Sequence, residues 1–234
     1  MKVLKILIVG LLFLSPLTNN AQEGESIFDA RGQHIMNEII KKRGNNNNAV
    51  KTPADKYYDD KSFLLGSVFY EGKKMPDEYY LRYNAIKDII ETSQNGVSDF
   101  ILPNEKISCT IWGEKYFYTK FEKGDDVKKG YLKLIFSGEG YKIYERETVV
   151  YKKGKKARTS LTLDIPAKYI KNNSFYLKEN NGIAKKISSK KKKFIKSFKK
   201  ENQKQIKTFI KRNKTDLSNK NDVVKFYKYY KTLK

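Results

Sequence analysis

From Ser62 to Ile187 apolar and polar positions alternate in short runs, and beyond Ile187 the apolar positions recur every three or four residues. The first pattern has the period of half-buried strands, the second that of amphipathic helices. The runs FLLGSVFY, YYLRYNAI, DIIETS, VSDFILP, KISCTIW, KYFYTKF, YLKLIF, YKIYERETVVYK, SLTLDI, SFYLKE and GIAKKI predict strands. Turn signals divide them at Glu71-Gly72-Lys73, Asn95-Gly96, Lys123-Gly124-Asp125-Asp126, Ser137-Gly138-Glu139-Gly140, Lys153-Gly154-Lys155 and Asn180-Asn181-Gly182. Asn-Gly supplies the positive φ that a type I′ hairpin turn needs. Links this short join antiparallel neighbours, because parallel ones need a crossover of about a dozen residues. The expected fold class is α+β: an antiparallel β-meander, as a twisted sheet or partly closed barrel, followed by two or three C-terminal amphipathic helices.

In the tail, Phe194, Ile195 and Phe198 form one apolar stripe, and Ile206, Phe209 and Ile210 a second. Val223, Phe226, Tyr227, Tyr230 and Leu233 form the third. Asn202 and the Lys214-Thr215-Asp216 region are the expected breaks. Ser218 is the expected N-cap of the last helix, with Asp222 in its first turn. These stripes bury too little surface to offset the entropy of ordering the whole tail alone, so they are expected to dock on the sheet. Before the strands, Ile35, Met36, Ile39 and Ile40 predict a short helix over Gln33–Lys42, and Gly44 to Pro53 reads as an Asn-rich loop.

The first residues, MKVLKILIVGLLFLSPLTNNAQ, place Lys2 and Lys5 before an apolar run from Ile6 to Leu14. That run is too short to span a bilayer, which takes about 20 apolar residues. With the small residue Ala21 behind it, it predicts a secretory signal peptide cleaved near Ala21. No Cys follows the run, so no lipoprotein anchor is expected, and no later stretch is long and apolar enough to span a bilayer. The organisation read from the chain is a signal peptide over 1–21, a short helix and linker over 22–61, a β domain over 62–187 and a Lys-rich helical segment over 188–234. The expected location is periplasmic or secreted. Export with Cys109 as the only cysteine leaves no internal disulfide, so stability must come from a packed core. Cys109 shares a strand face with Ile107 and Ile111 and is expected to be buried and inert.

Charge changes the picture most in the tail. The whole chain carries a formal net charge of +23. From Ser188 to Lys234 there are 17 cationic residues against 3 acids. Lys192, Lys193, Lys196, Lys199 and Lys200 fall outside the arc of Phe194, Ile195 and Phe198, whereas Lys191 points into it, where its stem can snorkel. Lys190 to Lys193 crowd the positive end of a helix dipole, which disfavours the helix and calls for another reason. The candidate polyanion-binding residues are therefore Lys190, Lys192, Lys193, Lys196, Lys199 and Lys200. The competing readings are a solubilising face and a genome rich in A and T, whose codons favour Lys and Asn.

Catalytic material is sparse. His34 stands without a ligand-spaced cluster, so no metal site is expected. With one His and one Cys in the chain, nucleophile–His triads have little to draw on. Asp59-Asp60 and Asp125-Asp126 read as turn chemistry, and neither a phosphate-binding loop nor a dinucleotide fingerprint occurs. No catalytic residue and no cofactor are expected. The abundant tyrosines read as half-buried strand residues, with a stacking platform as the alternative. The expected function is a non-catalytic binding or envelope-accessory protein. The alternatives are a polyanion binder acting on lipopolysaccharide, an anionic lipid surface or nucleic acid, and a glycan-active enzyme. The last requires two carboxylates about 5–10 Å apart in a cleft.

Asn20-Ala21-Gln22, Tyr80-Leu81-Arg82-Tyr83-Asn84 and the ending KKKKFIKSFKKENQKQIKTFIKRNKTDLSNKNDVVKFYKYY resemble exported β-rich proteins of Bacteroidota with a Lys-rich helical C-terminus. The resemblance implies a Gram-negative envelope location. It implies no activity and no site residue.

Overall fold

Two successive residues with positive φ make the tips of two hairpins. Glu71 (φ 49°) and Gly72 (φ 83°) join β2 (Leu64–Tyr70) to β3 (Lys73–Asn84). Trp112 (φ 49°) and Gly113 (φ 80°) join β6 (Ile107–Ile111) to β7 (Glu114–Lys123). This is the geometry whose twist matches that of the flanking strands. Glycine takes it freely, whereas Trp112 is held there with 75% of its surface exposed. The computed structural model describes residues 31–41, 62–94, 97–159 and 163–233. The leader, the Asn-rich loop, Asp59-Asp60 and the Asn95-Gly96 turn lie outside these. Gln94 nevertheless pairs with Val97, as a two-residue hairpin link requires.

The remaining strands are β1 (Ile40–Lys41), β4 (Ile89–Gln94), β5 (Val97–Ile101), β8 (Asp126–Gly138), β9 (Tyr141–Lys152), β10 (Lys168–Glu179) and β11 (Lys185–Lys186). All eleven form one antiparallel sheet in the order β1-β5-β4-β3-β2-β6-β7-β8-β9-β10-β11, and the sheet is not closed. Helix α1 covers residues 31–39. After the sheet come α2 (Lys191–Lys196), α3 (Lys200–Arg212) and α4 (Lys220–Lys231). The fold is α+β, as the periodicity predicts.

The strand order demands curvature. β5 is followed by β6, which pairs on the far side of β2, four strand steps away. Laid flat, those steps span about 19 Å. The link of residues 102–106 contains a turn, with the Ile107 N–H donating to the Asn104 carbonyl at 3.0 Å, so it is not extended. The sheet instead curls, bringing Ile101 and Ile107 into one core with Val68, Leu81, Ile90 and Cys109. Met36 and Ile39 of α1 enter the same core. Cys109 is buried there, which pushes its thiol far above its usual range. A thiol reagent such as DTNB should leave the native protein unlabelled and react only after unfolding in urea; labelling of the native protein at the unfolded rate would contradict this packing.

Alternation along β7 and β8 then changes the buried face. Tyr118 and Tyr131 join the first core, whereas Phe121 and Leu132 join a second with Tyr144, Tyr176 and Ala184. The chain at Ala184 meets β7 in a parallel bridge to Phe121, held by Glu122 N–H on the Ala184 carbonyl and Ala184 N–H on the Lys120 carbonyl, each at 3.0 Å. A third core lies between Tyr141, Ile143 and Phe175 of the sheet and helices α2–α4.

β8 and β9 pair only from Lys133–Glu145 to Gly138–Tyr141, while β9 stays with β10 as far as Lys152–Lys168. Asp88, from the β3–β4 turn, occupies the fork. Its Oδ1 accepts from the Tyr131 N–H (3.2 Å) and the Tyr83 hydroxyl (2.8 Å), and its Oδ2 from Arg146 Nη2 (2.7 Å). A side chain thus replaces a ladder partner that β8 has lost. Asp88 sits at φ 55°, a conformation Asp tolerates better than most residues. In the neighbouring strands, buried Glu91 accepts from Arg82 Nε (2.9 Å), Arg82 Nη2 (2.7 Å) and Asn84 Nδ2 (3.1 Å).

Several expected elements differ. The first helix ends before Ile40 and not at Lys42, because Ile40 and Lys41 pair with Ile101 and Phe100 on the open edge of β5. The strand read into SLTLDI reduces, among the described residues, to a bridge between Ile165 and Lys155. GIAKKI keeps only Lys185–Lys186 as strand.

Candidate functional site

The tail docks by its apolar stripes. Phe194 of α2 is 1% exposed, with its ring centroid 4.8 Å from that of Phe226 and 5.0 Å from that of Phe198. Ile206 and Ile210 of α3, and Val223, Phe226, Tyr227 and Tyr230 of α4, complete the buried set. Phe198 and Phe209 are half-buried, and Phe209 stacks on Tyr229 at 4.2 Å. The breaks differ in part from those expected. Asn202 lies inside α3, and the chain instead turns at Ser197 to Lys199, where Ser197 Oγ donates to the Phe194 carbonyl at 2.6 Å. Asn219, not Ser218, caps α4, its Oδ1 accepting from the Asn221 N–H at 2.9 Å and the Asp222 N–H at 3.4 Å. Ser218 hydrogen-bonds to Asp216 by both backbone and hydroxyl, which holds the Asp216 carboxyl below its usual range.

All six candidate lysines are exposed. Lys190 is the N-cap residue of α2, with no side-chain cap and no acid in the first turn, so α2 itself supplies nothing that offsets the charge at its N-terminus, although Asp216 acts electrostatically on Lys191. Lys199 lies 3.9 Å from Glu201 with both side chains in solvent, a pair worth little. Among the described residues, no acid lies within salt-bridge distance of Lys190, Lys192, Lys193, Lys196 or Lys200. Lys193 lines a hollow of about 410 Å³ between α2, α4 and the β10–β11 edge, facing Glu122 and Glu179; the other five are not among its lining residues. Two tail lysines lie over aromatic rings of the sheet: Lys228 is 4.9 Å from the Phe136 ring centroid, and Lys231 4.8 Å from that of Tyr141.

A larger groove, about 720 Å³, is lined by Lys204, Thr208 and Arg212, by Gln205, Phe209 and Asn213, and by Tyr229. The first six are two adjacent rows of α3 at four-residue spacing, so the spacing was there to be found. An apolar-stripe reading passes over it because it sorts Phe209 into the core and leaves the polar rows as solvent-facing.

The carboxylates beside the tyrosines are paired. Lys133 Nζ lies 3.0 Å from both Glu114 and Glu145, and Glu145 also accepts from Asn173 Nδ2 at 2.6 Å. The hollow beside them, lined by Tyr83, Tyr116 and Tyr131, holds about 10 Å³, room for about one water molecule and no more. Tyr79, Tyr131, Tyr141 and Tyr144 are buried; Tyr80 is exposed. His34 is exposed and pairs with Glu38 one helical turn away, at 3.3 Å. Among the described residues no group of three His, Cys, Asp or Glu is placed to hold a metal, and no helix is long and apolar enough to cross a membrane. No family model, curated protein or solved structure matches the chain.

Proposed function

We propose that the protein is an exported, non-catalytic envelope module that binds anionic polymers through the outward face of its docked C-terminal helices. One observation carries this reading: burial of the apolar stripes against the sheet holds the backbone of α2 and α3 in place and leaves Lys192, Lys196 and Lys200 in solvent, with no acid within salt-bridge distance among the described residues. An array of like charges on a backbone held in place lowers the entropy cost of gripping a phosphate polymer. The non-catalytic part rests on Glu114 and Glu145 being tied to one ammonium beside a hollow too small for a sugar ring. Export rests on the N-terminal leader pattern.

Binding of labelled polyphosphate, followed by anisotropy over a salt series, tests the reading. Contacts to four to six phosphates give a log–log slope of about −4 to −5. Replacing Lys192, Lys196, Lys199 and Lys200 together with Ala should flatten that slope by about 3 while leaving the melting temperature unchanged, since all four side chains are in solvent. A salt-independent affinity, or an unchanged slope in the variant, would reject it.

A further inference from the structure

Beyond Glu145, β9 leaves β8 and runs on with β10 as a two-stranded ribbon. The ribbon is well organised. Tyr151 and Tyr169 pair across it with ring centroids 5.1 Å apart, and Val150 opposes Ile170. Lys155 and Ile165 exchange both backbone hydrogen bonds at 2.8 Å, and Asp164 Oδ1 accepts from the Ala157 N–H at 2.6 Å. Gly154 permits this closure, since a Cβ there would lie 2.6 Å from the Ile165 carbonyl oxygen.

Its surface joins two features that oppose each other in water. Leu163 is 91% exposed and Ile165 55%, two large apolar side chains two residues apart and held in water. Interleaved with them are Lys152, Lys153, Lys155, Lys156, Arg158 and Lys168, all exposed, against Asp164 as the one acid between Val150 and Ile170. Lys152 stands directly opposite Lys168, a cross-strand pairing of like charges that weakens the ribbon by itself. Lysines can serve to keep an open strand edge from pairing with other chains. Exposed aliphatic side chains work against that purpose, so edge protection explains only half of the surface. A nucleic acid would take the charges and leave Leu163 and Ile165 with little to contact. An anionic lipid surface takes both: aliphatic tips enter the interface, tyrosine rings settle at headgroup depth, and lysine stems reach back to lipid phosphates.

We propose that this ribbon is a peripheral membrane-binding element, docking the part that carries Leu163 and Ile165 on an anionic lipid surface independently of the lysines on the C-terminal helices. Flotation of the full chain with phosphatidylglycerol-containing vesicles against pure phosphatidylcholine vesicles tests it. Partitioning should be at least about tenfold stronger on the anionic vesicles, and Leu163→Glu with Ile165→Glu should remove about tenfold or more of it. Because both side chains point into solvent, the double variant should melt like the parent and bind polyphosphate as the parent does. The helix-face Lys→Ala variant should lose polyphosphate, so the two surfaces fail separately. Absence of anionic-vesicle binding by the parent, or parent-like vesicle binding by the Leu163/Ile165 variant, would overturn the proposal. So would an equal loss of duplex DNA and vesicle binding, which would assign the ribbon to nucleic acid.

Discussion

Phe226→Ala is expected to lower the stability of the protein by about 3–5 kcal/mol in urea titration, and its melting temperature by roughly 10 °C. Phe226 is fully buried, and its ring lies within 6.2 Å, centroid to centroid, of those of Phe194, Phe198, Phe209, Tyr227 and Tyr230. Truncation opens a cavity at the point where all three C-terminal helices meet, and rigid aromatic neighbours collapse into such a space poorly. The same change should raise amide exchange throughout α2–α4 before it does so in β2–β6, because those strands close over a separate core. A loss below about 1 kcal/mol would mean that the helices are not seated on the sheet in solution. The proposed function would fall with it, since the backbone that carries its lysines is held in place only by that seating.

Asp88→Ala is expected to cost about 3–5 kcal/mol, a magnitude set by what it leaves behind. The Arg146 guanidinium would remain mostly buried, with the Phe121 ring 4.6 Å away in place of its counter-ion. The Tyr131 N–H would lose its acceptor at the same time. Asp88→Asn keeps an acceptor for that N–H and removes only the charge, so it should fall between the parent and Asp88→Ala. Adding Arg146→Met to Asp88→Ala should recover a large part of the loss, giving a coupling energy of about 1–3 kcal/mol in a double-mutant cycle. Strictly additive effects would show that the carboxylate and the guanidinium do not support each other.

Much of the local architecture is legible from the chain. The runs that become β4 and β5, the turn at Glu71-Gly72 and the three apolar stripes of the tail follow from side-chain period and turn chemistry. So does the exposure of Lys190, Lys192, Lys193, Lys196, Lys199 and Lys200, because the stripe that must be buried leaves them on the other side. The separation of Lys193 from its neighbours is not legible. It depends on the β10–β11 edge, with Glu122 and Glu179, standing opposite α2. Asp88 carries no signal either, since a turn aspartate looks the same whether it meets water or fills a fork between strands. The break at Asn202 is misread because Asn is a weak helix former that costs a few tenths of a kcal/mol, which docking of Ile206 and Ile210 overrides.

Side-chain alternation and the positive-φ turn residues determine by themselves that this protein is built of antiparallel strands with an amphipathic helical tail, since both act between residues close in the chain. Only the tertiary structure decides that β6 returns to β2, that β7 and β8 change their buried face, and that β9 parts from β8 to form an exposed ribbon. Those outcomes turn on which open edge and which apolar face come within reach once the sheet has curled. Backbone pairing is nearly indifferent to sequence, so the choice passes to the packing of distant side chains.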